Sequence, residues 1–118
     1  MIQELLTSIG FSEKEVKIYI ALLRSSTQTT SYLAKKTELN RGTAFVILHA
    51  LLKKGIIVKT TKKNIQYFSA LSPQHLLSYL EHREQEIHQQ KEQVHEAMGQ
   101  LLAITSPHSS RPKIEFLD

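Results

Sequence analysis

The stretch Leu39–Gly55, reading Leu-Asn-Arg-Gly-Thr-Ala-Phe-Val-Ile-Leu-His-Ala-Leu-Leu-Lys-Lys-Gly, limits the folds open to this chain more than any other. Wound as a helix, it gathers Ala44, Ile47, Leu48 and Leu51 on one face. Gly42, Val46, His49 and Lys53 lie roughly opposite, with Phe45 at the margin. One face must pack and the other is presented. Asn40 is suited to cap its amino end. Gly55 closes the carboxyl end, with Lys53 and Lys54 in the last turn, where cations favour the negative pole of the macrodipole. Two runs rich in β-branched and aromatic residues follow at once, Ile56–Thr61 and Ile65–Ala70. With Lys62-Lys63-Asn64 between them they predict a β-hairpin with a basic tip.

The residues before this helix supply its support. Ile2, Leu5, Leu6 and Ile9 recur at helical spacing before Gly10, predicting a short amphipathic helix that packs on the core or on a partner chain. Ser12 with Glu15 is a capping-box pair, and it opens a helix with an apolar stripe of Val16, Tyr19, Ile20 and Leu23 that ends near Arg24. Ser25–Thr30 reads as a polar loop. Thr29, Thr30 or Ser31 can then cap a short helix through Tyr32 and Lys36, before a tight connection over Thr37–Asn40. Helix, tight turn and two-faced helix make a helix-turn-helix, and the hairpin after it makes a winged helix.

Ser72 followed by Pro73 starts another helix, and from Leu76 to Ile104 only Gly99 interrupts it. Such a helix runs about 45 Å at ~1.5 Å per residue. In a heptad frame Leu80, Ile87, Val94 and Leu101 share one position, while Leu76, Arg83, Gln90, Ala97 and Ile104 share the other. A stripe this narrow cannot bury itself, so pairing with the same helix of a second chain is the simplest expectation, through Leu76, Leu80, Ile87, Val94, Leu101 and Ile104. The alternative is a long helix folded back on its own domain. The expected architecture is mainly α with a small β-hairpin: a winged helix-turn-helix over 1–71, a long coiled-coil dimerisation helix over 72–105, and a linker with a short strand-like terminal segment over 106–118.

Charge divides along the same lines. Residues 1–70 hold 11 Lys/Arg against 4 Asp/Glu, a surplus of seven positive charges. Residues 71–118 hold 4 against 7, a deficit of three, and together they give the net +4 of the chain. The amino-terminal part is thus the one suited to a polyanion. There is no cysteine, hence no disulfide framework or thiolate metal site, and no apolar run reaches the ~18 residues of a membrane span. Residues 1–10 lack the order of a signal peptide, so a cytoplasmic location with no membrane partner is expected. His75, His82, His88 and His95 fall on outer heptad positions without an i,i+4 pair, so neither metal nor cofactor is expected. With no Gly-rich phosphate loop or cysteine nucleophile, and with Glu81, Glu84, Glu86, Glu92 and Glu96 reading as a solvated face, no enzyme is expected.

These features point to a homodimeric regulator binding double-stranded DNA. Arg41, Gly42, Thr43, Phe45, Val46 and His49 form the surface for the major groove, and Lys53, Lys59, Lys62 and Lys63 contact phosphates. Arg41 is the first choice for a base or phosphate contact, because its fork can address either. The rival reading is a winged-helix protein-interaction or assembly module without DNA affinity.

Assembled, the sequence resembles the TrmB family of transcriptional regulators from about Leu5 to Leu117. The residues that carry the resemblance are Ile9-Gly10-Phe11-Ser12-Glu13-Lys14-Glu15 with Val16 and Tyr19, Leu33-Ala34-Lys35-Lys36-Thr37, and Arg41-Gly42-Thr43-Ala44-Phe45-Val46-Ile47-Leu48. Leu51, Lys54-Gly55-Ile56-Ile57, Tyr67-Phe68-Ser69-Ala70-Leu71-Ser72-Pro73 and Arg111-Pro112-Lys113-Ile114-Glu115-Phe116 continue it. The resemblance implies a dimeric winged-helix DNA-binding module. The family usually has proline at position 40, tyrosine at 45 and a polar residue at 46, where this chain has Asn40, Phe45 and Val46; the last offers only an apolar contact, for example to a thymine methyl. Larger members continue into an effector-binding domain, and their sugar sensing is not carried over to this chain.

Overall fold

Ser12 and Glu15 form the reciprocal cap that their spacing predicts: Ser12 Oγ accepts the Glu15 N–H at 3.1 Å, and Glu15 Oε1 accepts the Ser12 N–H at 2.8 Å. The helix they open is the centre of the fold. The computed structural model describes residues 1–105. Its elements are α1 (Ile2–Ser8), α2 (Glu13–Arg24), β1 (Gln28–Thr29), α3 (Thr30–Thr37), α4 (Arg41–Lys53), β2 (Ile57–Lys62), β3 (Ile65–Ala70) and α5 (His75–Ile104). The expectations placed on 106–118, a linker and a strand-like run, lie outside the described residues.

The protein is mainly α with a small antiparallel sheet, as expected, but the sheet has three strands in the order β1-β3-β2. The third strand corrects the sequence reading. Ser25–Thr30 is not all loop, because Gln28 and Thr29 pair with Phe68 and Tyr67. Two polar residues have no strand signal of their own; the free edge of β3 recruits them. Thr29 then caps α3 through the Tyr32 N–H at 3.2 Å.

The core joins every helix of the head to the sheet: Leu6 of α1, Ile18, Tyr19 and Leu22 of α2, Leu33 of α3, Ala44, Leu48 and Leu51 of α4, with Ile56, Ile57 and Phe68. On α2 the buried face is rotated from the expected stripe. Ile18 and Leu22 are buried while Leu23 is exposed, since α1, α3, α4 and β3 all pack on this helix and together select its inner side. On α1 only Leu6 is buried, and Ile2 and Leu5 are exposed.

Between α3 and α4 the chain turns through Glu38, left-handed at φ 59°, with the Leu39 N–H donating to the Ala34 carbonyl at 2.9 Å. Asn40 then caps α4, its Oδ1 accepting the Gly42 N–H at 2.7 Å and the Thr43 N–H at 3.4 Å. Gly55, at φ +75°, follows its carboxyl end in the conformation that favours glycine.

Residues 1–82 form one compact unit, and a second begins at Arg83, part-way along α5. Within the first, Leu76 and Tyr79 pack against the core. Within the second, every described residue is exposed except Arg83 and Ala97, which are half-buried.

Candidate nucleic-acid interface

α4 carries its apolar residues as the wheel requires: Ala44, Leu48 and Leu51 are buried and Ile47 half-buried. On the other side Arg41, Gly42, Val46 and Lys53 are exposed, Phe45 is 46% exposed, and Thr43 and His49 are half-buried. The surface that the sequence singled out is therefore open along the whole helix.

His49 is more constrained than its wheel position suggested. Its ring lies 4.2 Å from that of Phe45, centroid to centroid, and 6.4 Å from the buried ring of Phe68 in an edge contact. Nδ1 sits 2.9 Å from the Phe45 carbonyl. A carbonyl only accepts, so Nδ1 carries the hydrogen, and in the neutral ring Nε2 is left as an acceptor. The rings of Phe45, His49 and Phe68 thus link α4 to the sheet. The amino end of α4 is also partly spoken for, because Asn40 already occupies the Gly42 and Thr43 N–H groups that could otherwise meet a phosphate.

The wing differs in detail from its expected form. β2 and β3 pair from Ile57↔Ala70 to Lys62↔Ile65, so Lys62 belongs to the strand and only Lys63 and Asn64 make the turn. Both have positive φ, 50° and 64°, the two-residue type I′ geometry whose twist matches that of the flanking strands. The register also sorts the lysines. Lys59 lies opposite Phe68, on the face that meets His49, whereas Lys62 lies opposite Ile65 on the other face with Val58 and Tyr67. Lys59, Lys62 and Lys63 are all exposed.

Lys54, next to the exposed Lys53, turns inward. Its Nζ donates to Glu15 Oε2 at 2.8 Å and stands 5.7 Å from the Phe11 ring centroid and 6.0 Å from that of Tyr79. Burial disfavours the Glu15 carboxylate, but the bond from Lys54, the bonds at Ser12 and the Lys54 charge outweigh it and hold the carboxyl below its ordinary value. Sequence reasoning missed this pair because its members are 39 residues apart.

On α5, Ile87, Val94, Leu101 and Ile104 are exposed, Leu80 is half-buried, and Leu76 is half-buried against its own core. Met98 and Leu102, outside the heptad seam, are exposed as well.

A capped helix presented beside a basic hairpin, on a helix-turn-helix head, defines the winged-helix class of DNA-binding transcriptional regulators. Within it the chain belongs to the TrmB family: the family's model, described as "Sugar-specific transcriptional regulator TrmB", matches residues 5–74. Solved structures share the fold. TrmBL2, an archaeal chromatin protein with a novel mode of DNA binding, aligns at TM-score 0.71 and 21% identity over 93% of this chain and 43% of its own. A possible transcriptional regulator from Methanosarcina mazei Go1 aligns at TM-score 0.60 and 12% identity, covering 75% of this chain and 80% of that one. A MarR family regulator from Silicibacter pomeroyi DSS aligns at 0.54 and 10%, covering 90% and 67%. The chain thus spans less than half the length of TrmBL2. No curated protein matches it. Among the described residues no helix is long and apolar enough to cross a membrane.

Proposed function

We propose that this chain is a homodimeric, sequence-specific DNA-binding regulator of transcription. The single observation that carries the reading is the uncovered face of α4, bounded by Arg41 and Lys53 and flanked by a basic wing. Arg41, Thr43, Phe45, Val46 and His49 address base edges in the major groove, with Gly42 allowing close backbone approach, and Lys53 reaches a phosphate. Because Lys59 and Lys62 project from opposite faces of the hairpin, a wing set edge-on into a groove offers a cation to the backbone on each side, with Lys63 at the tip.

The second copy is held through α5. Exposed Ile87, Val94, Leu101 and Ile104 at heptad spacing support this, together with the inability of a single helix with so narrow a stripe to bury it. The division of labour is a head over 1–71 that binds DNA and a helix over 72–105 that pairs. The exposed Phe45 and Val46 also favour a second reading, a protein-interaction module without DNA affinity. A gel shift of the full chain with a generic mixed-sequence duplex at low salt separates the two, because charge-driven non-specific binding precedes any sequence preference. A retarded complex supports the DNA reading, and free duplex at every protein concentration selects the other.

A further inference from the structure

Val46 is the most exposed apolar side chain of α4, at 64%, and Gly42, one turn before it, has no side chain to shield it. Glycine at 42 suits the cap: a Cβ there would stand 3.1 Å from Asn40 Oδ1. Beside Val46 the Phe45 ring is held by the His49 imidazole, which is itself set against buried Phe68. The middle of the presented face is therefore apolar, while Arg41 and Lys53 stand at its ends and Lys59 on the wing face beyond Phe68. Neither Val46 nor Phe45 can exchange a hydrogen bond with a base edge or meet a phosphate. The apolar group that a major groove offers is the C5-methyl of a pyrimidine.

Resting on the DNA-binding reading, we infer that Val46 recognises pyrimidine C5-methyl groups. The ligand class is duplex DNA with a methylated pyrimidine facing the second turn of α4. Thymine and 5-methylcytosine carry the same methyl in the same groove. A surface of this kind discriminates by shape and desolvation rather than by hydrogen bonds, so it adds preference without adding salt dependence.

The test uses the full chain and duplexes recovered with it from a random pool, resynthesised in three forms. The first carries thymine. The second carries deoxyuridine at every thymine, which deletes the methyl and keeps the hydrogen-bonding edge. The third is the deoxyuridine form with 5-methylcytosine for cytosine. The expected result by fluorescence anisotropy is a loss of about fourfold in affinity for each methyl that Val46 touches, from the first form to the second. Val46→Ala, at an exposed position and checked by thermal melting, is expected to bind those two forms alike with an unchanged salt slope. No recovery on the third form supports a contact at thymine, and recovery confined to the wild type shows that Val46 takes a 5-methylcytosine methyl as well; a recovery that Val46→Ala also shows is a general effect of methylation and overturns the contact. Equal binding of the first two forms by the wild type overturns the inference, as does a Val46→Ala protein that keeps the discrimination. Recovery of no duplex at low salt instead overturns the DNA-binding reading, and this inference with it.

Discussion

Lys54 Nζ donates to Glu15 Oε2 across 2.8 Å and thereby fastens the carboxyl end of α4 to the first turn of α2. Glu15 is buried and at the same time accepts the Ser12 N–H, so one carboxylate caps α2 and anchors α4. Removing the cation strands a buried charge. Lys54→Ala is expected to lower unfolding free energy by about 2 kcal/mol, less than the ~3–5 kcal/mol of a fully enclosed pair because Lys54 keeps some solvent. Urea denaturation measures it, and a change within about 0.5 kcal/mol, typical of a surface substitution, would contradict the anchoring role.

The same pair sets a pH dependence. The folded Glu15 pKa is lowered from its ordinary 4.5, so its contribution is complete above that value and disappears as pH falls through the folded pKa. Glu15→Gln keeps an acceptor for the Ser12 N–H but loses the charge. The stability gap between wild type and Glu15→Gln should be widest near pH 7 and close on acidification below 4.5. A gap that is constant across this range would show that the charge of Glu15 is not what stabilises.

The Asn40 side chain occupies two N–H groups of α4. Asn40→Ala should destabilise by about 1 kcal/mol, and Asn40→Asp, which keeps the acceptor, by much less. Thermal melting of the two variants checks the order.

In the wing turn Lys63 and Asn64 both hold positive φ, a conformation that glycine adopts without steric cost. Asn64→Gly should raise stability by about 0.5 kcal/mol and lift the melting midpoint by a few degrees. A lower midpoint would contradict the type I′ assignment.

Lys62→Ala with Lys63→Ala should weaken binding to all duplexes alike and reduce the salt slope by up to roughly 0.9 for each phosphate left without its lysine. Arg41→Ala should instead narrow the ratio between target and random DNA. Measuring both variants across a salt series distinguishes affinity from discrimination.

What the sequence made legible was local. The Ser12–Glu15 box, the Asn40 cap and Gly55 act within a few residues, and the two faces of α4 follow from spacing alone. What it hid depends on distant partners. Gln28–Thr29 is a strand only because Tyr67 and Phe68 lie beside it, and Ile18 rather than Leu23 is buried because neighbouring elements choose the inner side of α2. The inward turn of Lys54 needed Glu15, and the opposed directions of Lys59 and Lys62 needed the hairpin register, which a two-residue turn shifted to bring Lys62 into the strand. The presented residues of α4 could be named from its spacing, yet the packing of His49 against Phe45 and Phe68 required the fold.

Sequence-specific binding by a paired head is tested by selecting duplexes from a random pool with the full chain at two salt concentrations. Two heads paired through α5 should enrich, and keep at the higher salt, two related half-sites in inverted orientation, spaced by about 10 base pairs or a multiple. Recovery of the unselected pool at both concentrations would contradict it.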